Sequence, residues 1–156
     1  MLFRSPHGPP VVAAGGVATG AQVAALLALG AAGVLLGTRL LFTDECQYTP
    51  AQKGALLAAG PGDAVHSACF DEAMGLRWPR GVIGHALKNG VYADACEGLD
   101  LEERKRRYER GKLSGDFDRV ITWAGKAVGL TSEIRPARQV IEELHRDAVR
   151  TLQNAG

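Results

Sequence analysis

The chain has 156 residues, a formal net charge of +1, 46% hydrophobic and 22% charged residues. That length suits one domain with a single core, the composition is that of a globular protein, and the near-neutral balance gives no global attraction to nucleic acid or to a membrane surface. The start, MLFRSPHGPP, has no apolar run before Pro6 and is not read as a signal peptide.

Residues 10–42 read as strand, glycine turn, helix, strand and second glycine turn. The apolar run Val11–Ala14 stops at Gly15-Gly16. A helix-compatible run, Gln22–Leu29, opens near Gly20-Ala21, and Gly33–Leu36 then ends at Gly37-Thr38. Glycines 15, 16, 20, 30 and 33 interrupt the low-charge stretch and its period changes midway, which predicts a buried βαβ unit rather than a membrane span. Residues 50–59 follow as a short helix with Pro50 in its first turn and Gly60-Pro-Gly as its stop. Ala64–Phe70 reads as extended. Residues 75–98, dense in glycine and holding Trp78-Pro79, predict an irregular loop with a short helix near His85–Lys88.

Asp100 is placed to cap a charged helix over Leu101–Lys112. In it, Arg104-Lys-Arg-Arg alternates with Glu102, Glu103 and Glu109, the pattern of a solvated face with i,i+4 pairs rather than of a nucleic-acid patch. Val120-Ile-Thr-Trp is β-like and ends at Ala124-Gly125. A closing helix over Pro136–Gln153 puts Val140, Ile141, Leu144, Ala148 and Leu152 on one face. Cys46, Cys69 and Cys96 form neither a CxxC pair nor a disulfide frame and read as reduced thiols of a cytoplasmic protein.

The two glycine turns carry the chemistry. In α/β folds, ligands sit at the carboxyl ends of the strands, where backbone N–H groups and a following helix hold phosphate. Glycine allows close approach and positive φ. Gly15-Gly16 and Gly37-Thr38 fall at the same end of a parallel pair, which matches the phosphate site built after strands 7 and 8 of a (β/α)8 barrel; the plain alternative is that such glycines only make tight turns. The spacing is neither GxGxxG nor a P-loop. Arg39 either assists the phosphate or packs its stem on the wall, and Trp123 either fills the core or covers a pocket. His7 and His145 read as structural or exposed. His66 and His85 have no partner at ligand spacing, so no metal site is expected, and no catalytic base is named among them.

VVAAGGVATGAQVAALLALGAAGVLLGTRLLFTDE (11–45) resembles the late-barrel segment of the nitronate monooxygenases, formerly 2-nitropropane dioxygenases. WAGKAVGLTSEIRPARQVIEEL (123–144) is similar to that family's closing motif, and FDEAMGLRWPRGVIGHAL with LEERKRRYERGKLSGD to the helical insertion of its fungal-type members. The resemblance implies an α/β chain forming the C-terminal part of a (β/α)8 TIM barrel, one partial domain over 1–156 with its last two strands and helices and a mainly helical insertion at 43–119. It implies FMN as cofactor and a nitronate or nitroalkane plus O2 as reactants. By position, Gly15, Gly16, Leu35, Leu36, Gly37 and Thr38 would form the FMN-phosphate cradle. Many members have Gln where Lys126 stands. The segment carrying the family's catalytic histidine lies upstream of the strand-7 equivalent, so the catalytic residues stay unassigned and the chain is expected to be a C-terminal portion or a truncated product. Another FMN barrel, such as a flavin enoyl reductase, and an inactive remnant acting only by association are the alternatives. Open strand edges would also allow a homo-oligomer.

Overall fold

The structure is a computed structural model that describes residues 8–79 and 81–155. Strands β1 (Val12–Ala14) and β2 (Gly33–Leu35) pair in parallel, with Val12 opposite Gly33 and Ala14 opposite Leu35. Helix α1 (Gly20–Ala28) makes the crossover. It starts where the sequence supplies a capping box: the Thr19 side chain accepts the Gln22 N–H at 3.3 Å, and Gln22 Oε1 accepts the Thr19 N–H at 3.1 Å. Helix α7 (Ala137–Asn154) lies against α1, and a Cβ on Gly20 would come within 2.8 Å of the Leu144 carbonyl oxygen and the Ala148 nitrogen. The absence of a side chain at Gly20 therefore sets how closely the two helices approach.

The βαβ unit is present, but it is not buried as its apolar composition predicts. Val12 is 57% and Leu35 65% exposed. Among the described residues the parallel sheet has two strands, so no further strand or layer covers these side chains.

After the one-turn helix α2 (Thr38–Leu41), the chain builds a separate layer. Helix α3 (Pro50–Ala58) again starts at a capping box, Thr49 with Gln52. Strands β3 (Ala64–His66) and β4 (His85–Leu87) pair antiparallel, with His66 opposite His85. Helices α4 (Cys69–Ala73), α5 (Gly90–Cys96) and α6 (Leu101–Ser114) pack beside them. Asp100 caps α6 as expected, accepting the N–H groups of Glu102 and Glu103.

Several expectations in this layer need correction. His85–Leu87 is a strand, not a helix: Ala86 and Leu87 are buried in register with Val65 and Ala64. The helix begins at Gly90, because the Asn89 side chain accepts the N–H groups of Val91 and Tyr92 and so starts α5 there. The extended reading of Ala64–Phe70 holds to His66, after which Cys69 and Phe70 enter α4. Val120–Trp123 makes only an isolated bridge from Trp123 to Ala86. On α7, Val140, Leu144 and Ala148 are buried, while Ile141 is half exposed.

The core has two centres. One joins Phe70, Ala73, Ala86, Val91, Tyr108 and Ile121. The other gathers Phe42, Leu56, Ala64, Leu87, Ala124 and Val128, thus drawing on residues before, within and after the 43–119 segment. The Tyr48 hydroxyl donates to the Trp123 carbonyl at 2.9 Å, which anchors the loop that follows β4 in space. Four consecutive basic residues of α6 are paired: Arg104 with Glu72, Lys105 with Glu102, Arg106 with Glu103 and Arg107 with Asp94. The three cysteines are unpaired. Among the described residues no helix is long and apolar enough to cross a membrane.

Candidate ligand-binding cleft

Both glycine turns open into one cleft of about 620 Å³, within the size range of cofactor and small-molecule sites. Gly15, Gly16, Leu35, Leu36, Gly37 and Thr38 all line it. Gly15 and Gly16 have φ of +92° and +74°, in the left-handed region that L side chains avoid, and a Cβ on either would point into open space. The turn therefore presents bare backbone to the cleft, and only glycine does this without strain.

The turn after β2 is fixed from outside the βαβ unit. Thr38 Oγ1 accepts the Gly125 N–H at 2.7 Å, which brings the Trp123–Ala127 loop to the cleft rim. Gly125, Lys126 and Ala127 complete that rim. Among the described residues no carboxylate lines the cleft, and Lys126 adds an exposed cation. The lining thus fits an anionic group such as a phosphate, held by amides, a hydroxyl and a nearby ammonium.

The N-terminus of α1 faces elsewhere in this arrangement. Thr19 and Gly20 lie on a different pocket of about 220 Å³, and the first-turn N–H of Gln22 is already taken by the Thr19 hydroxyl. Arg39 belongs to that second pocket also. It is buried beside Arg135, Glu133 and Glu143, and burial followed by the Arg135 charge pulls its pKa down. Arg39 is therefore a wall residue and not a contact of the glycine cleft. Trp123 also stays out of the cleft: it stands edge-on to Phe70 at 6.1 Å and covers Gly84.

What the linear spacing concealed is the histidine pair. His66 and His85 are 19 positions apart in sequence, yet the β3–β4 register puts them directly opposite each other on the cleft wall. Their rings stack with centroids 4.4 Å apart and planes 6° from parallel. His66 Nε2 lies 2.9 Å from the Ile83 carbonyl oxygen. His85 Nε2 is buried without a partner. Burial, then the His66 and Lys126 charges, push the His85 imidazole below the usual histidine value. Reading β4 as a strand was the signal that would have paired them.

A parallel strand pair with both carboxyl ends turned by glycine into one anion-favouring cleft is an α/β arrangement of the kind that receives phosphate groups. Residues 4–147 match the profile of the nitronate monooxygenase family. The chain belongs to that family. It is 37% identical to a nitronate monooxygenase of Neurospora crassa over 141 residues, which is 88% of this chain and 37% of that protein. It is 48% identical to a (3aS,4S,5R,7aS)-5-hydroxy-7a-methyl-1-oxo-octahydro-1H-indene-4-carboxyl-CoA dehydrogenase of Rhodococcus jostii, covering 94% of this chain and 52% of the relative. The fold superposes on a nitroalkane oxidase from Streptomyces ansochromogenes with a TM-score of 0.74 and 24% identity, over 94% of this chain and 41% of the other. The chain thus spans between about a third and a half of the length of these proteins.

Proposed function

We propose that the cleft holds the phosphate end of FMN, and that the chain works within an FMN-dependent oxidoreductase that oxidises alkyl nitronates with molecular oxygen. The observation that carries this reading is the convergence of the positive-φ turn Gly15-Gly16 with Leu35–Thr38 on one cleft that no carboxylate lines among the described residues. Bound flavin would supply the two-electron chemistry. The chain's own share is to hold and orient. Amides of Gly15 and Gly16 take one side of the phosphate and Gly37 and Thr38 the other. The Thr38 hydroxyl accepts from Gly125 and keeps its own proton to donate. In this reading β1 and β2 are neighbouring strands of a (β/α)8 barrel whose outer edges are paired in the working protein, and the protein acts in the cytoplasm.

FMN titrated into the chain, followed through backbone amide resonances, tests the cradle. The expected result is a saturable shift at Gly15, Gly16 and Thr38, lost on Gly16→Val. An unchanged response in that variant would show the cradle to be misassigned. With both β1–β2 edges open, binding by the isolated chain is expected to be weak, and tight stoichiometric binding would show that the rest of a barrel is not needed.

The 48% identity to the Rhodococcus protein favours a second reading, oxidation of a CoA-linked ring acid by the same cradle. Nitronate-dependent oxygen uptake supports the first. Flavin reduction by a carboxyl-CoA substrate, without nitronate turnover, supports the second.

A further inference from the structure

The histidine pair is not used by the phosphate cradle, yet it forms part of the same cleft. His66, on β3, is exposed, and its ring covers that of His85 on β4. An N–H at His66 Nε2 donates to the Ile83 carbonyl at 2.9 Å, so the nitrogen left to meet a ligand is Nδ1. His85 Nε2 is buried and has no partner among the described residues, so that nitrogen does not face a ligand. Among the described residues the charged groups around the pair are few. Lys126 comes from the loop after Trp123 and is a cation. Asp71 comes from α4, and its carboxylate is spent on Trp78 Nε1 and on the N–H of Gly84. Two rings stacked at 4.4 Å beside a lysine do not readily carry two charges. Of the two, His85 is disfavoured as the cation, by burial first and then by the neighbouring charges.

We propose that His66 and His85 form an oxyanion-recognition subsite, in which the singly protonated pair presents His66 Nδ1–H to a planar oxyanion bound at the β3–β4 wall of the cleft. His66 is the binding residue. His85 is a positioning residue that supplies a flat aromatic platform and keeps the His66 ring in place. The ligand class is a carboxylate-like or nitronate-like anion; naming the nitronate as the natural occupant rests on the function proposed above, whereas the subsite itself does not. No acidic side chain lines the cleft among the described residues, so the two rings meet an anion without a competing carboxylate.

The test is a histidine-detected NMR titration of the chain with sodium propionate at pH 6 and pH 8. The expected result is a saturable shift of the His66 ring signals at pH 6 that weakens about tenfold or more at pH 8. In His66→Gln, followed at the His85 ring and the Lys126 amide, no saturable propionate shift is expected at either pH. His85→Phe, which keeps the aromatic platform, should bind better than His85→Ala. Equal propionate binding at the two pH values, or unaltered binding in His66→Gln, would overturn the subsite. The wild-type titration needs no variant to fold, so the pH comparison stands alone. Inorganic phosphate serves as the second probe: a response at the Gly16 amide without a propionate response at His66 leaves the cradle and removes the subsite. The reverse outcome removes the cradle and leaves the subsite.

Discussion

The Thr38 hydroxyl accepts the Gly125 N–H at 2.7 Å, and this one bond joins the turn after β2 to the loop carrying Lys126. The residues are far apart in the chain, so the bond ties two segments that neither helix nor strand connects. Thr38→Val keeps the shape and removes the acceptor. It should destabilise the chain by about 1 kcal/mol in urea unfolding and should weaken the FMN response at Gly37, because the loop loses its anchor. Thr38→Ser should restore both. Valine and serine variants that behave alike would mean the hydroxyl has no structural role.

The site was legible in the sequence where it depends on local backbone and hidden where it depends on pairing. Gly15-Gly16 and Gly37-Thr38 end apolar runs, and the requirement for positive φ at the first turn is written in residue type. The capping residues Thr19, Thr49 and Asp100 likewise act within three residues of themselves. The histidine pair arises from the register between β3 and β4, with a helix, a loop and three glycines in between. His85-Ala-Leu is too short for either period to declare itself, and Asn89, which starts the next helix, was the overlooked mark of its end. The separation of Arg39 from the cleft was hidden for the same reason: its neighbours Arg135 and Glu143 come from the far end of the chain.

Gly20 tests the α1–α7 contact. A methyl group there would meet the backbone of Leu144 and Ala148 at 2.8 Å, and helix backbone does not yield as a flexible side chain does. Gly20→Ala raises helix propensity, by less at this first helical position than the roughly 1 kcal/mol of an exposed helix interior. Here overpacking, about 1–3 kcal/mol, should outweigh it. A lowered thermal midpoint is expected, and an increase would mean that the helices separate at little cost.

His85 links the cleft to pH. Its folded-state pKa lies below the unfolded value, because burial and the charges of His66 and Lys126 oppose protonation. The folded chain therefore binds fewer protons than the unfolded chain as pH falls through the ordinary histidine range, and the corresponding stability is lost on acidification. Thermal midpoints measured between pH 7.5 and 5.5 should drop less in His85→Gln than in the parent chain. Parallel curves would show that His85 contributes nothing to the pH dependence.

Asp94 holds the helical layer together from inside. It is 4% exposed, and its carboxylate binds Arg107 Nη1 at 3.0 Å on one oxygen and Arg119 on the other. Arg119 is the more enclosed partner, 20% exposed against 40% for Arg107, and its stem fills the space that the missing side chain of Gly111 leaves. Arg107 has a second partner in Glu103; Arg119 has none besides Asp94 among the described ion pairs. The two arginines are thus unequal although they share one carboxylate. Asp94→Asn should destabilise by about 2–3 kcal/mol, as expected for hydrogen bonds to a charged group with a buried end. Arg107→Ala should cost little, as solvent screens this half-exposed cation, and Arg119→Ala clearly more, because packing against Gly111 is lost with the charge. Denaturant unfolding in low and high salt separates the terms: the Arg107 effect should fade with salt and the Arg119 effect should persist. Equal losses for the two arginines would show that the carboxylate, and not its enclosed partner, sets the energy of this contact.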